Sequence, residues 1–242
     1  MNTLSRKQRE LKERESRILE VSRPMLIQQG YHGLSMDRIA ETLEYSKGTI
    51  YNHFSCKEEI IIALAIQTLE RRTEMFQRAA AFRGSSRERL LGIGLAAELF
   101  VRLYPDHFKL EHIIRATSIW EKTSEKRRSV MHSCENRCMS TVGGIVRDAI
   151  AQGDLELPDD VAPEDVVFGL WSLSFGAFSI IVTSDQLDQL GIADPYAAYR
   201  MSTVRLVDGL GWRPLSTDFD YDQTYLRIQN EVFSDEFRRI AA

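Results

Sequence analysis

Apolar residues recur along this chain at spacings of three and four, the period of helices buried along one face. No Asn-Gly or Asp-Gly turn joins alternating strands, and no βα unit or repeated segment is visible. Ser5 and Gln8 read as a capping box opening a first helix that runs to about Gln29 and is stopped by Gly30. Pro24 lies inside it and predicts a kink, because it lacks an N–H and crowds the carbonyl of Glu20. Two short helices follow, Ser35 to about Leu43 and Lys47 to about His53. Ser55 and Glu58 read as a second capping box, opening a long helix to about Phe82 with Ile62, Ile66, Leu69 and Phe76 on one face.

Gly84-Ser85-Ser86 breaks the pattern and marks a domain boundary. Beyond it the period predicts helices over about Arg87–Leu103, Phe108–Glu121 and Ser124–Gln152, the last closed by Gly153. Pro163 opens another that reaches about Thr183, and Asp194-Pro195 caps one that leaves through Gly209 or Gly211. A final amphipathic helix is predicted from about Tyr221 to Ile240, with Leu226, Phe233, Phe237 and Ile240 on one stripe. The predicted fold is all-α, a three-helix head over residues 1–64 whose linking helix continues to about 82, and a helical bundle over residues 85–242.

Composition alters this picture little. With 43% hydrophobic and 27% charged residues in 242, the chain has the mix of a globular protein, and three cysteines cannot build a disulfide framework. The polar first fifteen residues lack the apolar core of a signal peptide, so a reducing cytoplasm is the expected compartment. Charge is more informative. The net value of −4 argues against a polyanionic partner, but residues 1–17 carry six basic and three acidic side chains while residues 154–242 carry six basic and sixteen acidic. A basic head on an acidic body can still meet a polyanion at the head.

The stretch with the most specific chemistry is Leu34 to Leu64. Two short helices joined by a tight turn make a helix-turn-helix, whose second helix enters the major groove. Ile39, Ala40 and Leu43 supply the inner face of the first helix, and Ile50 and Phe54 that of the second. Lys47, Thr49, Tyr51 and Asn52 are left facing outward, a set able to meet phosphate oxygens and base edges. Ser46 caps the second helix, whose free N–H groups attract phosphate, and Lys57 offers a further phosphate clamp.

The runs G-Y-H-G-L-S-M-D-R-I-A-E, S-K-G-T-I-Y-N-H-F and K-E-E-I closely resemble the DNA-binding head of the tetracycline-repressor (TetR/AcrR-like) family over about Arg17 to Leu64. The resemblance implies that Ser35 and Met36 touch the DNA backbone. It implies that Ser46, Lys47, Thr49, Tyr51, Asn52 and His53 lie on or beside the recognition surface, that Gly48 permits close approach and that Lys57 holds a phosphate. Two departures stand out. Glu44 occupies the turn where the family often has glycine, so either the turn takes another form or about 1 kcal/mol of backbone strain is stored. Pro24 interrupts a first helix that is otherwise continuous in the family.

The resemblance further implies a cytoplasmic homodimeric regulator, a repressor by expectation, released from a palindromic operator by a small apolar or amphipathic molecule. Dimerisation is expected through Val166–Ser184, nineteen residues without a charge, and Tyr196–Leu210, with Gly169, Ser172 and Gly176 allowing close helix approach. The uncharged run is long enough to approach a bilayer span, but its serines, glycines and acidic flanks favour a buried helix. The effector cavity is expected among Phe100, Phe108, Trp120, Trp171, Phe175 and Phe178, with polar contacts from Glu111, His112 and Arg115.

Other constellations read as plain structure. Met131, Cys134, Cys138, Thr141, Ile145 and Ala149 form a core stripe, with His132 on the opposite side, rather than a metal or redox site. Asp218, Asp220 and Asp222 open like a calcium loop but lack its glycine and closing glutamate. No nucleotide-binding loop, nucleophile elbow or zinc-protease motif is present, so no enzyme activity, cofactor or metal is expected. The reading from a different class is a helical small-molecule or metal/redox sensor acting through protein partners.

Overall fold

A computed structural model describes residues 5–116 and 119–241, without the side chains of Arg115 and Ala116. The described residues form α1 (Arg6–Gly33), α2 (Met36–Thr42), α3 (Lys47–His53), α4 (Lys57–Ala80), α5 (Ser86–Leu103) and α6 (Pro105–Ala116). A 3₁₀ turn (Trp120–Lys122) is followed by α7 (Glu125–Gln152), α8 (Pro163–Thr183), α9 (Pro195–Gly209), α10 (Tyr221–Glu231) and α11 (Ser234–Ala241). The all-α prediction holds. The chain divides into two units, one of Met1–Leu69 with Asp106–Cys134, the other of Glu70–Pro105 with Glu135–Ala242.

The first unit is organised around one aliphatic core. Ile18, Leu26, Leu34, Ile39, Ile50, Phe54 and Ile60 to Ile62 are all but inaccessible, and Leu110, Ile114, Ile119, Met131 and Cys134 join the same cluster. That packing draws residues 106–134 to the head, although sequence pattern alone groups them with the bundle. Polar ties reinforce it. The buried Glu59 carboxylate meets Arg127 Nε at 2.5 Å and accepts the Ser124 backbone N–H. Arg23 Nη1 lies 3.0 Å from His107 Nδ1, and Thr68 Oγ1 lies 2.8 Å from the same nitrogen.

In the second unit α5 is the hub, with α8, α9, α10 and α11 all packed on it. Ser85 and Glu88 form its capping box. Gly92 permits the close approach of α4, since a Cβ there would lie 3.3 Å from that of Ala79. Buried polar groups on α5 are tied across the unit. Glu98 meets Arg200 at 2.7 Å and Arg102 at 3.1 Å. Arg87 pairs with Asp208 and donates to the Trp212 carbonyl, and the fully buried Trp212 donates from Nε1 to Ser86 Oγ at 3.0 Å. Such pairs hold strongly against loss of one partner, because the survivor would be left uncompensated in a poorly solvated site. Among the described helices only α8 is long and apolar enough to cross a membrane.

Several boundaries differ from expectation, each for a local reason. The break in α1 falls at Gly30 (φ 68°, ψ −172°), where the sequence places the stop, but one more turn then runs to Gly33, and the backbone dihedrals at Pro24 stay helical. A left-handed glycine releases the backbone more completely than a proline whose φ already suits a helix. The segment predicted as one helix over Phe108–Glu121 ends as α6 at Ala116. The predicted last helix is two. Val232 and Phe233 both donate to the Ile228 carbonyl, and the chain turns there to bury Phe233. Leu226 is therefore exposed while Thr224 and Ile228 face inward. Glu58 binds Tyr31 Oη rather than serving the predicted box with Ser55. Asp220 caps α10 by accepting from the N–H groups of Asp222 and Gln223, which gives the acidic triplet its structural role. Cys134 and Cys138 lie buried on the α7 stripe.

Candidate nucleic-acid interface

The α2–α3 unit is built by its turn. Leu43 ends α2, Glu44 takes the left-handed conformation (φ 54°), and Tyr45 N–H reaches back to the Ala40 carbonyl at 2.9 Å while Glu44 N–H reaches Glu41 at 3.2 Å. This is a Schellman closure with glutamate where glycine is usual, so the strain expected from the sequence is present, about 1 kcal/mol. Ser46 then caps α3, its Oγ accepting from Thr49 N–H at 3.1 Å. Ile50 and Phe54, four apart, anchor α3 in the core.

With that side buried, helical geometry turns Lys47, Gly48, Tyr51 and Asn52 to solvent. Tyr51 is 51% exposed, unusual for a tyrosine with no packing role. A Cβ at Gly48 would meet only Ser46 Oγ, at 3.8 Å, so this surface is open to close approach. Thr49 is half-buried, its hydroxyl 2.8 Å from Ser46 Oγ. Lys47 Nζ pairs with Asp37 Oδ2 at 2.7 Å, and that hydrogen bond raises the lysine pKa. Both side chains are largely exposed, so the pair is weak and a phosphate can replace Asp37 as the lysine's partner. Asp37 was not singled out in the sequence, because its role depends on α2 and α3 meeting in space.

The other predicted positions are less simple. Ser35 is half-buried and extended, at the start of α2. The Met36 side chain is buried in the head core, so only its backbone is placed to meet a phosphate, at the α2 N-terminus. His53 is half-buried, and its Nδ1 is buried with no hydrogen-bond partner among the described residues. Lys57 is turned inward. Its Nζ donates to the Tyr31 carbonyl at 2.8 Å and sits 3.9 Å from the centre of the Tyr31 ring. It holds the C-terminal end of α1 against the start of α4 rather than standing free as a clamp. Beside it the Tyr31 hydroxyl donates to Glu58, and that bond pushes the Tyr31 pKa up to about 12. Burial pushes Glu58 upward, but the hydrogen bond from Tyr31 and the charge of Lys122 outweigh it and leave the carboxyl below its usual range. Cys56, also nearby, has its thiol pKa raised by burial, the opposite of an activated nucleophile.

Residues 18–64 match the family described as bacterial regulatory proteins, tetR family. The head of this chain is thus similar in sequence to the DNA-binding head of that family. The curated relatives agree over the same region. The transcriptional repressor AcnR of Corynebacterium diphtheriae is 39% identical over 66 residues, 27% of this chain and 35% of the relative. The transcriptional regulator UidR of Escherichia coli K12 is 36% identical over 70 residues, 29% of this chain and 36% of the relative. The match thus spans about a third of the length of these relatives. Solved structures extend the likeness of fold to most of the chain. The TetR-family regulator PfmR of Thermus thermophilus superposes with a TM-score of 0.59 at 19% identity, over 83% of this chain and 99% of PfmR. A Saccharomonospora viridis protein solved with choline gives 0.63 at 19% identity, over 81% of this chain and 96% of that one.

The residues expected to line an effector cavity fall in both units. Phe108, Glu111, His112, Arg115 and Trp120 belong to the first unit, and Phe100, Trp171, Phe175 and Phe178 to the second. Phe108 stacks edge-on against His112, Trp120 lies parallel to His132, and Glu111 is buried. Arg115 lies on α6 with its side chain outside the described residues. Phe100 is buried, and Phe178 is buried against Tyr199 with ring centres 4.6 Å apart. Among the described residues, none of these lines the cavity found among α5, α9 and α10.

Proposed function

We propose that this chain is a homodimeric, ligand-responsive transcriptional regulator that binds a palindromic operator through α3 and acts as a repressor. The observation that carries the reading is the two-sided build of α3. Ile50 and Phe54 are sealed in the core, while Lys47, Gly48, Tyr51 and Asn52 stand on one exposed face. Asn52 is suited to read adenine, Lys47 and the α3 N-terminus to hold phosphate, and Gly48 to let the duplex approach. The first ten residues of α1 add exposed Arg6, Lys7, Arg9, Lys12 and Arg14, further charge for the sugar-phosphate strands. The description of AcnR as a repressor supports the sign of the effect.

Dimerisation is supported by α8. Val166, Val167, Leu170 and Phe178 face inward, whereas Phe168 and Ile180 are 61% and 56% exposed. Gly169 and Gly176 have open space where a Cβ would be. On α9, Met201 and Leu206 extend the exposed apolar surface. An apolar face of this kind on a protein that must meet two half-sites fits a self-complementary interface.

The test is binding of the full chain to random duplex DNA at low and at high salt. Affinity should fall steeply and linearly with the logarithm of salt concentration, and Lys47→Ala should reduce the slope by about one. Absence of binding at low salt overturns the reading.

A further inference from the structure

The second unit contains a cavity of about 40 Å³ among α5, α9 and α10. Leu91 and Leu95 form one wall and Val204 and Val207 the other, with the rings of Tyr199, Tyr221 and Tyr225 between them. Gly94 sits in the α5 wall, where a Cβ would lie 3.6 Å from Tyr199 Oη in ordinary contact. The room exceeds the roughly 10–15 Å³ that a water needs, yet falls well short of the ~150 Å³ that admits benzene. It suits the end of an alkyl chain.

The polar groups around it narrow the ligand further. Arg87 and Arg200 line the cavity, but both are already neutralised, Arg87 by Asp208 and Arg200 by Glu98 at 2.7 Å. An anion therefore finds no unpaired cation. Their guanidinium carbons lie 5.0 Å and 5.6 Å from the ring centres of Tyr221 and Tyr225. A cationic ligand would meet aromatic rings that already have cations beside them, which separates this cavity from one suited to choline. Tyr199 Oη is 3.0 Å from Ser174 Oγ, and Tyr221 Oη donates to the Pro214 carbonyl at 2.6 Å. Tyr225 Oη has no hydrogen-bond partner among the described residues. A phenol hydroxyl is protonated at neutral pH and able to donate, and burial raises the Tyr225 pKa further.

We propose that this cavity takes the short alkyl end of a neutral small molecule, with the Tyr225 hydroxyl serving its one polar atom. The proposal rests on the effector reading above and gives that effector a site and a chemical class. Its chemistry follows from the walls. Apolar burial supplies the affinity, and one hydrogen bond fixes the orientation.

The test compares hexan-1-ol, hexanoate and hexyltrimethylammonium, three probes with one chain and different heads, by ligand-detected NMR on the full chain. Hexan-1-ol should bind at least ten-fold more tightly than either charged probe. Gly94→Leu, which fills the cavity from α5, should weaken it at least ten-fold, and Tyr225→Phe several-fold. Val204→Phe fills the same space from α9 and replaces Gly94→Leu should that variant fail to fold. Preference for a charged probe overturns the chemical class, and unchanged hexan-1-ol binding in a folded filled variant overturns the site. A compound that releases duplex DNA equally from wild type and a filled variant also overturns the site while leaving the effector reading intact. Binding that is lost on filling, in a protein whose DNA affinity no compound alters, upholds the cavity and overturns the effector reading.

Discussion

The outward faces of α3 and α8 share one plan and are finished in opposite chemistry. Each helix buries an apolar stripe, Ile50 with Phe54 in one case and Val166, Leu170 and Phe178 in the other. The far side of α3 carries lysine, glycine, tyrosine and asparagine, while that of α8 carries Phe168 and Ile180. A polar face with hydrogen-bonding ends gains from a partner that presents charges and base edges. An apolar face gains only from exclusion of water, which a second copy provides. The comparison teaches that exposure alone does not identify a partner. The chemistry of what is exposed does.

The comparison breaks most visibly at α8. Phe168→Asp combined with Ile180→Asp should convert the dimer to monomer in light scattering and lower operator affinity by about 100-fold or more, because the second half-site no longer adds its effective concentration. A dimer that survives both charges places the interface elsewhere. On α3, Asn52→Ala should cost about 1–3 kcal/mol at one base position and relax preference there. Selection from random duplexes checks this, and an unchanged site removes Asn52 from the readers.

Beneath α3, Lys57→Met should lower head stability by about 1–2 kcal/mol, the value of a charge-assisted hydrogen bond to a backbone carbonyl, with little change in the salt slope. Chemical denaturation with parallel salt titrations checks it. Unchanged stability with a slope lower by a full unit would restore Lys57 as a free phosphate clamp. The neighbouring Tyr31–Glu58 pair sets a pH window. Tyr31 has a raised pKa, so its contribution is full below about 10 and is lost as pH rises through about 12. Glu58 has a lowered pKa, so its contribution is present above the ordinary glutamate range and is lost as pH falls through the folded value. Tyr31→Phe should flatten both flanks of the stability profile measured by thermal melting. The smallest effect is expected of Glu44→Gly, a stabilisation of no more than about 1 kcal/mol from relief of the left-handed strain.

The head was the more legible half. Its core residues, the α3 boundaries and the Ser46 cap follow from period and capping chemistry alone, because the contacts concerned are a few residues apart. The inward contacts of the Lys57 and Met36 side chains, with Tyr31 and the aliphatic cluster, were not legible because tertiary packing sets them. The body yielded its helices, including α8 from Pro163 to Thr183, but not its cavity. The buried pairs Arg87–Asp208 and Arg200–Glu98 join residues more than a hundred positions apart, and no local pattern announces them. The split between α10 and α11 was missed for a related reason. Burial of Phe233 in the tertiary core turns a chain whose own periodicity would have continued.

The most direct test of the account replaces Tyr51 and Phe168, in turn, by the photocrosslinker p-benzoylphenylalanine and irradiates the full chain with operator-length duplex DNA. Position 51 should crosslink to DNA and position 168 to a second protein chain. Crosslinking of DNA from position 168, or its absence from position 51 under conditions where the duplex is bound, would contradict the assignment of the two faces.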